Sequence, residues 1–152
     1  MTIFLDIDGV MVPAKSWERP TILDDGFYSF SIGAVRAINQ MIQQHTRVIL
    51  TTSHKNRFTE AEWKNIFIRR GVFIEKFEKL NHNQNNTSSR LTEIMEWFQT
   101  NNKIDDYIII DDDKSLNNLP EKYKSHCILT SSTIGLNESH LSKFNQIVNF
   151  RA

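Results

Sequence analysis

Five short apolar runs, separated by stretches of helical periodicity, constrain this chain more than any other feature. TIFLDI (Thr2 to Ile7), RVIL (Arg47 to Leu50), VFI (Val72 to Ile74), YIII (Tyr107 to Ile110) and HCIL (His126 to Leu129) are rich in Ile, Val and Phe. Runs that are apolar on successive residues, not alternate ones, suit strands covered on both faces. The intervening stretches carry apolar stripes at helical spacing: Ile32, Val35, Ile38, Met41 and Ile42; Trp63, Ile66 and Phe67; Leu91, Ile94, Met95 and Phe98; Leu141, Phe144, Ile147 and Val148. The second of these helices has a signed start. Thr59 and Glu62 form a capping box, Phe58 and Trp63 a hydrophobic staple, and Gly71 supplies the stop. Strands and helices in alternation predict an α/β domain: a doubly wound, mainly parallel five-stranded sheet with helices on both faces.

A chain of 152 residues, 39% hydrophobic and 24% charged, predicts one domain over residues 1–152 with one core. The formal charge of +0 removes any global field that would draw in nucleic acid or an anionic membrane, leaving only local basic patches. Lys55 with Arg57, and Arg69 with Arg70, are the candidates. With one cysteine, Cys127, no internal disulfide forms, and a cytoplasmic setting is expected. No apolar run approaches the roughly 18 residues of a membrane span, and the start does not read as a secretion signal. The polar run NHNQNNTSS, Asn81 to Ser89, reads as an exposed loop, and Val12 to Ser29 as an irregular stretch punctuated by Pro13, Pro20 and Gly26.

Open parallel sheets bind ligands beyond the carboxyl ends of their strands. After the first apolar run come Asp6, Asp8 and Gly9; after the second, Thr51, Thr52 and Ser53; after the fourth, Asp111, Asp112 and Asp113. Taken singly, each is equally well a loop, a cap or a polar turn. Taken together, aspartates crowded at one edge repel one another unless a cation sits among them. All-oxygen donors favour a hard ion such as Mg²⁺. Arg90, opening the third helix, adds positive charge at the same edge.

This ordered set, FLDIDGVM, VILTTS, SRLTEIMEWF, YIIIDDD and a late GLNES, resembles the haloacid dehalogenase (HAD) superfamily, and most closely the small HAD domain linked to Swiss Army knife RNA-repair proteins. The resemblance implies a Rossmann-like HAD sheet with little or no cap and a Mg²⁺-dependent phosphatase. It implies that Asp6 is a nucleophile forming an aspartyl-phosphate and Asp8 the acid/base. Thr52 would hold a phosphoryl oxygen, while Gly9, Ser53 and Lys55 would line the substrate. The metal would be held by Asp6, the Asp8 carbonyl and Asp111 or Asp112. Arg90 stands where the superfamily commonly has lysine. Lys76 and Lys79 are the alternatives there, as Thr51 is to Thr52, since a slip of one residue reverses which side chain faces the site.

Too few residues separate the motifs for a large cap, which favours an extended phosphorylated substrate, such as an RNA or DNA end. A soluble nucleotide phosphatase and a non-catalytic HAD-like binding module are the alternatives. The order of the acidic motifs argues against a receiver domain, and the missing GxxxxGK[ST] excludes a P-loop. The tryptophans Trp17, Trp63 and Trp97 read as packing residues and Cys127 as inert. His45, His82, His126 and His140 lack metal-ligand spacing.

Overall fold

A computed structural model describes residues 1–81, 89–101 and 104–150. His82 and nearly all of the polar run after Leu80 lie outside the described residues. Five parallel strands form one sheet: β1 (Thr2–Leu5), β2 (Arg47–Leu50), β3 (Lys76–Lys79), β4 (Tyr107–Asp111) and β5 (Cys127–Leu129), in the order β3-β2-β1-β4-β5. The expected α/β architecture is thus present, with β1 central and the chain winding outward to both edges.

Helices α1 (Ile32–Met41), α2 (Glu60–Arg69) and α5 (Leu141–Asn149) cover one face, where Ala34, Ile38, Trp63, Phe67 and Phe144 pack against Ile3, Leu5, Val48 and Ile108. Helix α3 (Arg90–Thr100) covers the other, with Ile94 and Trp97 against Phe4, Ile49 and Ile109. Side chains alternate across a strand, so each fully apolar run feeds both cores. Local chemistry sets the helix ends. Ser31 and Ser89 accept hydrogen bonds from the N–H groups of Ala34 and Thr92. The Thr59–Glu62 box is closed in both directions. The Phe58 and Trp63 rings meet at 5.0 Å, and Gly71 takes φ +83° just beyond α2.

Two expectations need correction. The third strand is Lys76–Lys79, not Val72 to Ile74. Val72 and Ile74 are buried where the chain returns from Gly71, whereas KFEK is an edge strand that sends Phe77 into the core. An edge strand solvated on one side carries charge, so apolar content misplaced it. Trp17 is not a packing residue: it is 75% exposed, on the irregular stretch between β1 and α1. A further short helix, α4 (Glu121–Lys124), lies between β4 and β5 and has too few residues for a periodic signal. Among the described residues, no helix is long and apolar enough to cross a membrane.

Candidate active site

Register builds the site. Leu5 pairs with Leu50 on one side and Ile110 on the other. The next row continues it, with the Thr51 N–H bonded to the Leu5 carbonyl and the Asp6 N–H to that of Ile110. Thr51, Asp6 and Asp111 therefore stand abreast at the carboxyl edge. They lie two residues beyond Ile49, Phe4 and Ile109, and so share the sheet face covered by α3. That helix begins with Arg90, which delivers its guanidinium to the same row.

Asp6 and Asp111 are almost wholly buried, and with the half-buried Asp112 they offer carboxylate oxygens all within 4.8 Å of one another. Arg90 lies between them: Nη2 donates to Asp6 Oδ1 at 3.3 Å, Nη1 to Glu93 Oε2 at 3.4 Å, and Nε stands 3.0 Å from Asp111 Oδ2. The last contact is an ion pair without hydrogen-bond alignment, so Arg90 Nε and Asp111 Oδ2 are buried with no hydrogen-bond partner. Burial, then the Asp111 charge, push the Asp6 carboxyl up to about 9 against the pull of Arg90. Burial also raises Asp111, to about 6. Burial opposes the charge on Arg90, but Asp111, Asp6 and Glu93 outweigh it and hold the guanidinium protonated. The pocket has more negative charge than its own cations neutralise.

Gly9 is required by this crowding. Its φ is +77°, and a Cβ there would come within 2.0 Å of Asp112 Oδ2. Its carbonyl accepts from Thr130 Oγ1 at 2.6 Å, which ties the turn after β1 to the end of β5. Asp111 Oδ1 accepts from the Asp113 N–H at 3.0 Å, fixing the carboxylate, while Oδ2 faces Arg90 Nε as an ion pair without a hydrogen bond.

The remaining expected residues are placed as follows. The Asp8 carboxylate is not one of the acidic trio; its Oδ2 meets His54 Nε2 at 2.8 Å. Thr52 is buried, and its Oγ1 accepts from the His54 N–H at 3.3 Å, whereas the Thr51 hydroxyl is buried with no hydrogen-bond partner. Lys55 is buried, and burial lowers its pKa, while the Glu93 and Asp6 charges pull it back up. Ser53 is exposed. Lys79 Nζ donates to the Phe58 carbonyl at 3.2 Å and Lys76 is exposed on the edge strand. Sequence reasoning gave no role to Glu93 or Thr130, and to His54 only as part of the segment His54 to Arg57, which could bind a distal phosphate or base or be a solvated loop. The first was detectable as an acid one helical turn from Arg90; the other two sit in loops whose partners are distant in sequence. Among the described residues, no histidine or cysteine joins the acidic trio. Cys127 is buried, and its thiol is pushed up to about 12 by burial.

The donor set fits a hard dication. It is all oxygen, it carries excess negative charge, and the orphaned Asp111 Oδ2 is a buried acceptor that only a cation or a donor can satisfy. An all-parallel α/β sheet carrying these carboxylates at its carboxyl edge is the HAD Rossmann-like arrangement. The chain belongs to the family described as the HAD domain in Swiss Army Knife RNA repair proteins, whose model matches residues 2–141. Membership in a HAD family points to hydrolase chemistry. No curated protein and no solved structure matches the chain.

Proposed function

We propose that the protein is a Mg²⁺-dependent phosphatase that hydrolyses phosphomonoesters through Asp6, acting on the phosphorylated ends of nucleic acid in a cytoplasmic setting. The observation that carries this reading is the under-neutralised pocket: two buried aspartates, Asp6 and Asp111, with one carboxylate oxygen lacking a hydrogen bond and a single arginine between them. Asp6, Asp111 or Asp112 and the Asp8 carbonyl would hold the ion. When bound, Mg²⁺ supplies the positive charge that favours the ionised carboxylates and offsets charge on the phosphoryl group.

An Asp6 oxygen attacks phosphorus, the ester P–O bond breaks, and the phosphoryl group passes to Asp6. Asp8 gives its proton to the leaving oxygen, then takes one from the water that attacks the aspartyl-phosphate, releasing phosphate and restoring Asp6. Arg90 orients Asp6 through Nη2 and faces the transferring group with charge, a positioning and electrostatic task. Thr51 is the better candidate for the phosphoryl-oxygen donor than Thr52, because it shares the row of Asp6 and has a hydroxyl with no other partner. Lys55, buried within reach of the Glu93 and Asp6 charges, adds a second cation, and Gly9 leaves room for the phosphate beside the backbone. The family's description ties its members to RNA repair, which favours a polynucleotide end over a free nucleotide.

The test is phosphate release from an aryl phosphate, from nucleotides and from 3′- or 5′-phosphorylated oligonucleotides, with and without Mg²⁺, in the wild type and in Asp6→Asn. Release that needs Mg²⁺ and disappears in the variant is expected. Equal release from both proteins sinks the mechanism, and none from either favours a binding module.

A further inference from the structure

We propose that His54 is a positioning residue for Asp8: it holds the carboxylate through Oδ2 and so leaves Oδ1 as the oxygen that exchanges a proton with the leaving group. The inference rests on the phosphatase reading and adds to it a residue and a division of labour between the two oxygens of one carboxylate. The Asp8 side chain is 45% exposed and lies just before the turn that Gly9 begins. His54 Nε2 lies 2.8 Å from Asp8 Oδ2, and the imidazole is itself held on three sides. Its edge contacts Phe27 and Tyr28 at ring separations of 5.8 and 6.2 Å, nearly perpendicular in both cases. Its backbone N–H donates to Thr52 Oγ1, and its Nδ1 faces Arg57 Nη1 at 3.5 Å.

Arginine sets the direction of the chain. A guanidinium can donate but cannot accept, so the nitrogen it faces serves as the acceptor and the ring proton resides on Nε2, pointing at Asp8. Arg57 is in turn kept over the rings of Phe27 and Phe58, at 5.7 and 5.5 Å. The arrangement Arg57 to His54 to Asp8 is thus anchored on an aromatic cluster that also includes the buried Trp63. Restricting one oxygen of an otherwise free carboxylate shortens the search for a reactive geometry, which is where orientation contributes to rate.

A positioning role has a kinetic signature that a packing role lacks. Protonation of the leaving oxygen matters for an alkoxide such as a ribose hydroxyl, and little for a nitrophenolate that departs unaided. In His54→Ala, the first-turnover rate of Asp6 phosphorylation by a 3′-phosphorylated oligonucleotide, the step that precedes attack by water, is expected to fall about 10- to 100-fold. With p-nitrophenyl phosphate the first-turnover release of nitrophenolate should fall less than about 3-fold. His54→Gln, whose amide N–H reaches to about the same place as Nε2, is expected to recover most of the loss. Thermal unfolding verifies that each variant is folded. Independently of activity, nitrogen NMR of the wild type is expected to show the His54 proton on Nε2, and Asp8→Ala to remove the hydrogen-bonded signal. Equal losses on both substrates, no loss on either, failure of Gln to rescue, or a proton on Nδ1 would each overturn the proposal while leaving an active, Asp6-dependent enzyme intact. An inactive wild type would instead overturn the phosphatase reading, and this role with it.

Discussion

Among the described residues, the arginine–carboxylate clusters around Arg70 and Arg90 are built to opposite rules. At Arg70, five hydrogen bonds between 2.6 and 3.1 Å occupy the guanidinium: two to Asp25 in a fork, and one each to the carbonyls of Phe27, Tyr28 and Ile66. The Arg70 hydrogen bonds hold the Asp25 carboxyl below its ordinary value. At Arg90 the contacts are longer, Nε has no aligned acceptor, and one guanidinium faces Asp6, Asp111 and Glu93. There the two aspartates are pushed up, not down. A satisfied pair fastens the fold. Arg70 clamps the chain before α1 to the end of α2, whereas Arg90 Nε and Asp111 Oδ2 stay without a hydrogen bond, which is the capacity that the proposed cation would use.

Arg70→Met should separate the two clusters most forcefully. It strands the Asp25 carboxylate and three carbonyls, and a cost of about 3 kcal/mol is expected, toward the low end for a broken buried pair because Asp25 retains some access to water. Urea unfolding measures it, and Mg²⁺ affinity of the folded variant should be little changed. A loss of metal binding with stability intact would erase the contrast. Gly9→Ala tests the other side. The left-handed backbone costs about 1–2 kcal/mol with a side chain, and the displaced Asp112 should weaken Mg²⁺ binding, read by calorimetry. Unchanged affinity would remove Asp112 from the ion's ligands.

Asp111→Asn goes in the opposite direction. It keeps the acceptor for the Asp113 N–H but deletes a buried charge, so the metal-free protein should gain about 1 kcal/mol while Mg²⁺ binding is lost. A destabilised variant would make Arg90–Asp111 a fastening pair like that of Arg70. A pH trend reads the same charge imbalance directly. Asp6 is raised in the folded state, so its contribution to stability is complete below its ordinary value near pH 4 and is lost as pH climbs toward about 9. Asp25 is lowered, so its contribution is present above its ordinary value and is lost as pH falls through the folded one. Without metal, urea midpoints should therefore decline between about pH 5 and pH 9, and less so in Asp6→Asn. Mg²⁺ should flatten the decline. A metal-free protein equally stable across that range would remove the charge imbalance from the argument.

Legibility in the sequence followed the range of the interactions. Four of the five strands and the four main helices were readable because burial on both faces and helical periodicity are written in consecutive residues. The edge strand was misplaced, since KFEK needs only Phe77 to be apolar. Trp17 was misjudged because an aromatic residue alone does not say whether anything will cover it. The order of Asp6, Thr51, Arg90 and Asp111 along the chain suggested a shared edge; that Thr51 stands in the row of Asp6 required the register.

The sequence by itself determined the α/β alternation, the helix caps and the delivery of acids to strand ends, because each depends on neighbours within a few positions. Only the tertiary structure decided which arginine is satisfied and which is not. It alone set His54 against Asp8 across 46 residues of chain and gave Gly9 no room for a Cβ beside Asp112. Those outcomes depend on distances between strands, and charge in a low-dielectric pocket responds to distance in space and not to order along the chain.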